Sequence, residues 1–569
     1  MGVDLDAVVA AVAACGRFHA ATWEGDALRG VLTVQANVAG RQVALAVILD
    51  QSLVSCVPLA RLLHRERYGH LAHVNGDGIV CTGRNENMLP SIGRPSAVVI
   101  EALDLAVALL EQSFSDSSPR EMVDEFEAYW RDLPGVISVQ GHVSPHGRTR
   151  RIWVQQKSKN NARPVVVADT LRDYESFYPS QPYCGEFQER GLFVPLGANS
   201  RLVPPHPRHR WTEREIREKV LPWVSPADRA RLDPLLGPGR ENEVVVFSLP
   251  TSKAGHVLFG VWLQESSGGH PLSAGRARKM TPLSIKRLDS AYLRPRGGGR
   301  QDLSGRRVVV VGCGSVGGYA AEQLVCSGIG RVDVVDPEDL EPENFYRHVL
   351  GGLGREQGEA RNKARLLAAD LQIKFPYIRA NAHPVRFERL LQDSPGLISG
   401  SDLVLFATGN FGLESSFTME MSEQNLAVPT VHCWVEPHSV GWHALLSRPG
   451  TPGCIRCLVS HPLTGELHAN RYSFCDPLAD TDMDLSGCGS RFTPFGNLAA
   501  VRCAAQAVEL AVEALTGTAA PPLMRSERGK ARDLHGAGHA TTPRYDHQEA
   551  PMVVDSFAVP RCAVCGGIS

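Results

Sequence analysis

Apolar and polar positions along the 569-residue chain fall into three regimes. Residues 1–135 open with a helical stretch. Next come alternating runs such as "GVLTVQANVAG" and "QVALAVIL", then helical spacing through "VVIEALDLAVALLEQ" and "PREMVDEFEAYWRDL". Strands first and helices after predict an α+β domain. Residues 136–285 carry short apolar runs ("RRIWVQQ", "PVVVAD", "GLFVPLG", "NEVVVFSLP", "HVLFGVWLQ") divided by charged and Pro-rich turns. They predict a strand-rich connector with no catalytic constellation. "LRPRGGGRQDLSG", residues 293–305, reads as a flexible linker. From residue 306 onward strand and helix alternate, the order of a doubly wound parallel sheet. We therefore expect a multidomain chain of α/β and α+β class, with domains at 1–135, 136–285 and 286–569.

Composition narrows the partners. A net charge of -2 provides no electrostatic footprint for nucleic acid. The longest apolar candidate, "EALDLAVALLEQ", is interrupted by acids and reads as an amphipathic helix, so no membrane span is expected. The N-terminus lacks a basic stretch, and Asp6 stands where a myristoylation signal needs Ser or Thr. Fourteen cysteines without a secretion signal point to a reducing, cytoplasmic setting in which thiols serve metals and catalysis.

The chemistry concentrates in "VVVVGCGSVGGYAAEQLVCSGIGRVDVVD", residues 308–336. Gly312, Gly314 and Gly317 form G-x-G-x-x-G between a strand and a helix, and Asp336 closes the next strand at the distance of a ribose-binding carboxylate. Downstream, Asn344 and Arg347 follow the second strand, and Arg361 and Lys363 stand near the front of a helix. Cations converging on a glycine loop suit a triphosphate undergoing attack, which hydride transfer does not require. Two C-x-x-C pairs, Cys454/Cys457 and Cys562/Cys565, make a four-thiolate set open to zinc or to redox chemistry. Cys503 lies in an apolar helix and Cys433 on a buried strand. Cys488 occupies a glycine-flanked loop where a thiolate is accessible.

With its N-x-x-R, its lysine and both cysteine pairs, residues 285–569 resemble the ThiF/MoeB and ubiquitin-activating adenylyltransferases. The resemblance implies Mg-ATP-dependent adenylation of a protein C-terminal carboxylate. Asp336 would hold the ribose, Asn344, Arg347 and Lys363 the phosphates, and the four cysteines a structural zinc. It implies Cys488 as the thioester-forming thiol, with Cys475, or no thioester in this domain, as the alternatives. One departure stands out: the family's magnesium aspartate is replaced in "SDLVLFATGN" by Gly409, between Thr408 and Asn410, and Asp402 reads as a strand-start residue.

"YGHLAHVNGDGIVC" resembles the active-site loop of ubiquitin-conjugating enzymes, matching at His73, Asn75, Gly78, Ile79 and Cys81. The resemblance implies a thioester on Cys81, an oxyanion-stabilising amide at Asn75, and a loop-ordering His73. No proline separates His73 from Asn75, Asn75 stands only six residues before Cys81, and Thr82 follows the cysteine.

The domain order as a whole is similar to the fused activating–conjugating enzymes of bacterial CBASS anti-phage operons. That implies a donor of the cGAS/DncV-like nucleotidyltransferase type joined to a target amine. It also implies a homodimer through the adenylation domain, with Arg294 or Arg296 available to a neighbour's ATP. A ubiquitin-like donor from another operon and a sulfur-carrier adenylyltransferase remain as alternatives.

Overall fold

The computed structural model describes residues 3–54, 56–83, 93–115, 118–158, 161–178, 187–206, 209–237, 242–252, 255–273, 275–352, 361–484, 491–547 and 552–566. They divide into two compact units, 1–171 with 182–289, and 290–569 with 172–181.

In the first unit, four strands (His19–Gly25, Arg29–Val38, Arg41–Asp50, Ala60–Leu62) form an antiparallel meander in chain order. Leu32, Val34, Ala36 and Val38 alternate inward, as a half-buried strand requires. They meet the helices Leu5–Ala14 and Pro95–Ser113 in one core. Asp4 starts the first helix by accepting the amide of Ala7 at 3.0 Å. The second helix buries Val99, Leu103, Ala106 and Leu110, spaced three or four apart.

The helix expected over 119–133 is two, Ser118–Asp124 and Phe126–Arg131, broken at Glu125. Both contribute to the core of the next element. Seven strands between Ile137 and Arg287 close a barrel. Its inner face takes one side chain set (Val139, Ile152, Phe193, Val246, Leu283) and its outer face the other (Leu192, Val245, Phe247, Phe259). Phe126 and Trp130 cover that outer face, and Trp130 Nε1 donates to the Leu283 carbonyl at 2.9 Å. Each such aromatic side chain, fully buried, contributes about 2–3 kcal/mol. Strands Ile137–His142 and Arg276–Arg287 complete the barrel beyond those the apolar runs predicted. The conjugating-like and connecting stretches thus share one unit, and the chain passes to the second unit at 289/290.

The second unit is built on an eight-stranded sheet in the order Arg379–His383, Arg331–Val335, Arg307–Val311, Leu403–Phe406, Thr430–Val435, Gly441–Ser447, Leu523–Arg528, Met552–Val554. The first five are parallel and the rest antiparallel. Val308 and Val310 face one helical layer, Val309 and Val311 the other, so the strand is apolar throughout. Strand order reverses between Arg307–Val311 and Leu403–Phe406, which opens a crevice at their carboxyl ends. The stretch expected as a flexible linker is ordered: Ser290–Arg296 is helical, and Arg294 donates to the carbonyls of Gly328 (3.3 Å) and Tyr377 (2.8 Å). Among the described residues no helix is long and apolar enough to cross a membrane.

Candidate functional site: a nucleotide crevice and a thiol hairpin

The glycine loop lies at the crevice. Gly312 has φ +88°, and a Cβ there would stand 2.9 Å from the Ala407 carbonyl. A Cβ on Gly317 would meet the Gly312 carbonyl at 1.8 Å, so only glycine lets the helix Ser315–Cys326 start so close to its strand. Gly314 has open space around it and leads into that helix, where backbone amides can face an anion. Asp336 lies under the loop, accepting the amides of Cys313 (2.7 Å) and Glu338 (2.8 Å). Burial nevertheless pushes its carboxyl above the ordinary value.

Two adjoining cavities occupy the crevice. The larger, about 600 Å³, has Gly312, Gly314 and Asp336 on one side and the apolar Val385, Phe387, Leu413 and Phe417 on the other, room suited to a nucleoside. The smaller, about 390 Å³, is lined by Asn344, Arg347, Gly409 and Trp434, and shares Gly314, Glu338, Lys363 and Thr408 with the first. Lys363 is buried and its Nζ lies 2.7 Å from Glu338. The Arg347 guanidinium sits over the Phe495 ring. Asn344 spends its Oδ1 on the Glu341 amide. Arg361 is exposed and lines neither cavity; its carbonyl accepts the amide of Leu340.

Asn362, His348 and Glu414, not singled out in the sequence, complete the frame. Asn362 caps the helix Lys363–Lys374 and donates its Nδ2 to the carbonyls of Asp336 (3.0 Å) and Glu338 (3.1 Å). Its signal was an Asn directly before a helical run. Buried His348 sits behind the loop, its Nε2 against the Cys313 carbonyl. Thr408 donates to buried Glu414, whose other oxygen meets His432 at 2.7 Å. Asn410 caps the helix Phe411–Glu423, and Asp402 pairs with Arg306 and the Arg307 amide at the amino ends of the strands, away from the cavities. The smaller cavity offers a cation one carboxylate among its described residues, Glu338.

Cys454, Cys457, Cys562 and Cys565 are buried with all four sulfurs within 4.8 Å of one another. The Cys454–Cys562 and Cys457–Cys565 separations are 3.7 and 3.3 Å. Tetrahedral zinc, with Zn–S of about 2.3 Å, sets sulfurs about 3.8 Å apart. The set can hold such an ion. Cys433 and Cys503 are buried, as expected. Cys475 is buried too, and burial followed by the carboxylates of Glu436 and Asp476 pushes its thiol up to about 11. Such a thiol is thiolate in about one molecule in ten thousand at pH 7. Cys488 lies outside the described residues.

In the first unit, "HVNGDGIVC" folds as a tight hairpin: the Cys81 amide donates to the His73 carbonyl (2.8 Å) and the Asn75 amide to Ile79 (3.1 Å). Asn75 Oδ1 accepts the amides of Asp77 (3.0 Å) and Ile79 (2.9 Å), so any oxyanion contact must come from its Nδ2. Gly78, at φ +84°, closes the turn. His73, itself at φ +57°, pairs through Nδ1 with Glu125 (2.8 Å) and through Nε2 with Glu121 (3.3 Å), and the Glu125 hydrogen bond chiefly raises its pKa. Tyr129 adds a hydroxyl on Glu125 at 3.3 Å. Glu121 comes from the helix Ser118–Asp124, Tyr129 from Phe126–Arg131, and Glu125 from the break between them. Cys81 is exposed on one side. Burial on the other, then Glu125 and Asp132, push its thiol up.

The ThiF family model matches residues 291–523, and the prokaryotic E2 family B model matches residues 20–136. An ATP-dependent ubiquitin transferase-like protein Cap2 of Pseudomonas aeruginosa is 24% identical over 506 residues, covering 84% of this chain and 86% of that protein. Its namesake in Escherichia coli is 22% identical over 536 residues, covering 82% and 84%. Among solved structures, E. coli MccB with MccA-N7isoASN matches at 20% identity over 47% of this chain and 69% of that one, with a TM-score of 0.34.

Proposed function

Because this chain is a fused ubiquitin-activating-like and ubiquitin-conjugating-like enzyme of the CBASS type, carrying out ATP-dependent adenylation and conjugation, we propose that it joins the C-terminal carboxylate of a cGAS/DncV-like nucleotidyltransferase to a target amine in anti-phage defence. The observation that carries the adenylation half is the junction of the two cavities. A nucleoside-sized space beside Asp336 opens, across Gly314 and Lys363, into one lined by Arg347 and Lys363.

In the first step a donor carboxylate oxygen attacks the α-phosphorus, and the bond to pyrophosphate breaks. Lys363 and Arg347 offset the charge on the departing group while the glycine-loop amides hold the phosphates. The Cys488 thiolate then attacks the acyl carbon and AMP leaves. Thioester exchange passes the acyl group to Cys81 and regenerates Cys488. The high pKa of Cys475 supports Cys488 for this role.

At Cys81 the target amine attacks, the oxyanion forms beside Asn75, and the thiolate departs as the amine's proton is lost. Glu125, held by His73 and Tyr129, is the nearby carboxylate positioned to order that loop. The four-cysteine set holds structural zinc, tying residues 562–565 to the segment after the strand Gly441–Ser447. Chelation is expected to lower the melting temperature without touching Cys81.

The test is intact mass, without reductant, of the protein with Mg-ATP and a cGAS/DncV-like nucleotidyltransferase as donor. The expected result is a thiol-sensitive adduct retained in Cys81→Ala, where it rests on Cys488, and absent from Cys488→Ala and from the double variant, with amide product lost in every one of them. Amide product from Cys81→Ala would remove the second thiol from the cycle. An adduct formed only with a ubiquitin-like protein would replace the donor.

A further inference from the structure

The phosphate-side cavity contains Arg347, Lys363 and, among its described lining residues, one carboxylate, Glu338. Glu388 lines the larger cavity, Asp482 accepts the hydroxyl of the lining Thr493 at 2.9 Å, and three further acids of the region are committed elsewhere. Asp336 is buried and takes two backbone amides. Glu414 is buried against Thr408 and His432. Asp402 pairs at the opposite ends of the strands. Position 409, at the cavity wall, carries no side chain.

Glu338 combines a fixed backbone with an exposed carboxylate. Its amide donates to Asp336, and its carbonyl accepts the Lys363 amide (2.9 Å) and Asn362 Nδ2 (3.1 Å). Its side chain is 71% exposed, and the contact found for it is Lys363 Nζ at 2.7 Å. Without a metal this carboxylate faces incoming phosphates as a like charge and occupies the lysine they need. Magnesium is commonly held by one or two carboxylates together with substrate phosphates. One carboxylate at this spot is enough.

We infer that Glu338 is the protein ligand for the magnesium ion that accompanies ATP, and that it gives up Lys363 to the phosphates as it takes the metal. Metal and nucleotide binding are then coupled through one ion-pair exchange. The inference rests on the ATP reading of the crevice, and the experiment tells its failure from the failure of that reading.

The experiment is calorimetric titration of the full chain with α,β-methylene ATP, with and without magnesium. In the wild type, magnesium tightens binding on the order of tenfold, within the usual range for coupled ligands. In Glu338→Gln, metal-free affinity is equal or higher and the magnesium gain disappears. Adding Gly409→Asp to that variant restores the gain, since the space around Gly409 is open and aspartate tolerates its φ of +66°. A magnesium gain that survives in Glu338→Gln overturns the inference. So does loss of metal-free binding in that variant, which would make Glu338 a structural part of the loop. Absence of nucleotide binding by the wild type under either condition would instead overturn the ATP reading.

Discussion

The glycine crevice and the Cys81 hairpin, the two candidate sites, are built on different principles. At the crevice, backbone does most of the work. Gly312 turns the chain through a left-handed φ, Gly317 admits a carbonyl at a distance no side chain allows, and strand reversal opens the space. At the hairpin, side chains distant in sequence do it. His73 is held by Glu121 and Glu125 some fifty residues on, and Asn75 is absorbed into its own turn. A backbone site follows from local residues, whereas a side-chain site needs the fold to bring its partners together.

The largest test of the contrast is Lys363→Ala. Removing a cation from the developing phosphate charge is expected to lower ATP–pyrophosphate exchange by about 10²- to 10³-fold. The rate of Cys81 alkylation by iodoacetamide should stay unchanged, and a parallel fall in alkylation would show that the sites are not independent. Gly317→Ala comes next. Its Cβ would overlap the Gly312 carbonyl, and overpacking of this kind costs about 1–3 kcal/mol, read as a drop in urea midpoint together with weakened nucleotide binding.

The third test concerns Asp333, on the strand leading to Asp336. Burial pushes its carboxyl up, but hydrogen bonds from His383 and Arg307, then the Arg307 charge and Asn381, outweigh this and hold it at about 2. A carboxyl depressed on folding stabilises above its unfolded pKa, so this contribution, about 2 kcal/mol, is present above about pH 4 and fades as pH falls toward about 2. The stability difference between wild type and Asp333→Asn, followed by urea unfolding, should shrink over that window. A constant difference would discard the charge-based account.

The smallest effect is at the hairpin. Glu125→Gln removes one of the charges that keep the Cys81 thiol protonated, so alkylation at pH 8 should rise several-fold while pyrophosphate exchange is unchanged. No change in alkylation would leave burial and Asp132 as the whole cause.

Several elements were legible because they depend on short-range signals. "VVVVGCGSVGG" predicted strand, turn and helix, and Gly312, Gly314 and Asp336 line one cavity. The two C-x-x-C pairs, about a hundred residues apart, converge as expected. The runs "NEVVVFSLP" and "HVLFGVWLQ" are strands. The barrel they close was not legible, since closure depends on pairing Ile137–His142 with Arg276–Arg287 across the whole connector. The linker reading of 293–305 missed Arg294, because its hydrogen bonds to Gly328 and Tyr377 exist only in the fold.

The sequence by itself determined where the chain must turn, which faces are apolar, and which residues can bind phosphate, metal or an acyl group. Those properties belong to residue type and spacing, through allowed dihedrals and the strand and helix periods. Tertiary structure alone decided what each candidate was left free to do. It buried Cys475 beside Glu436, spent Asn75 Oδ1 on a turn, tied His73 to two glutamates, and left Glu338 as the one carboxylate among the described residues lining the smaller cavity. The reason is that desolvation and hydrogen bonding act between groups brought close by packing, at a range of a few ångströms that separation along the chain does not encode.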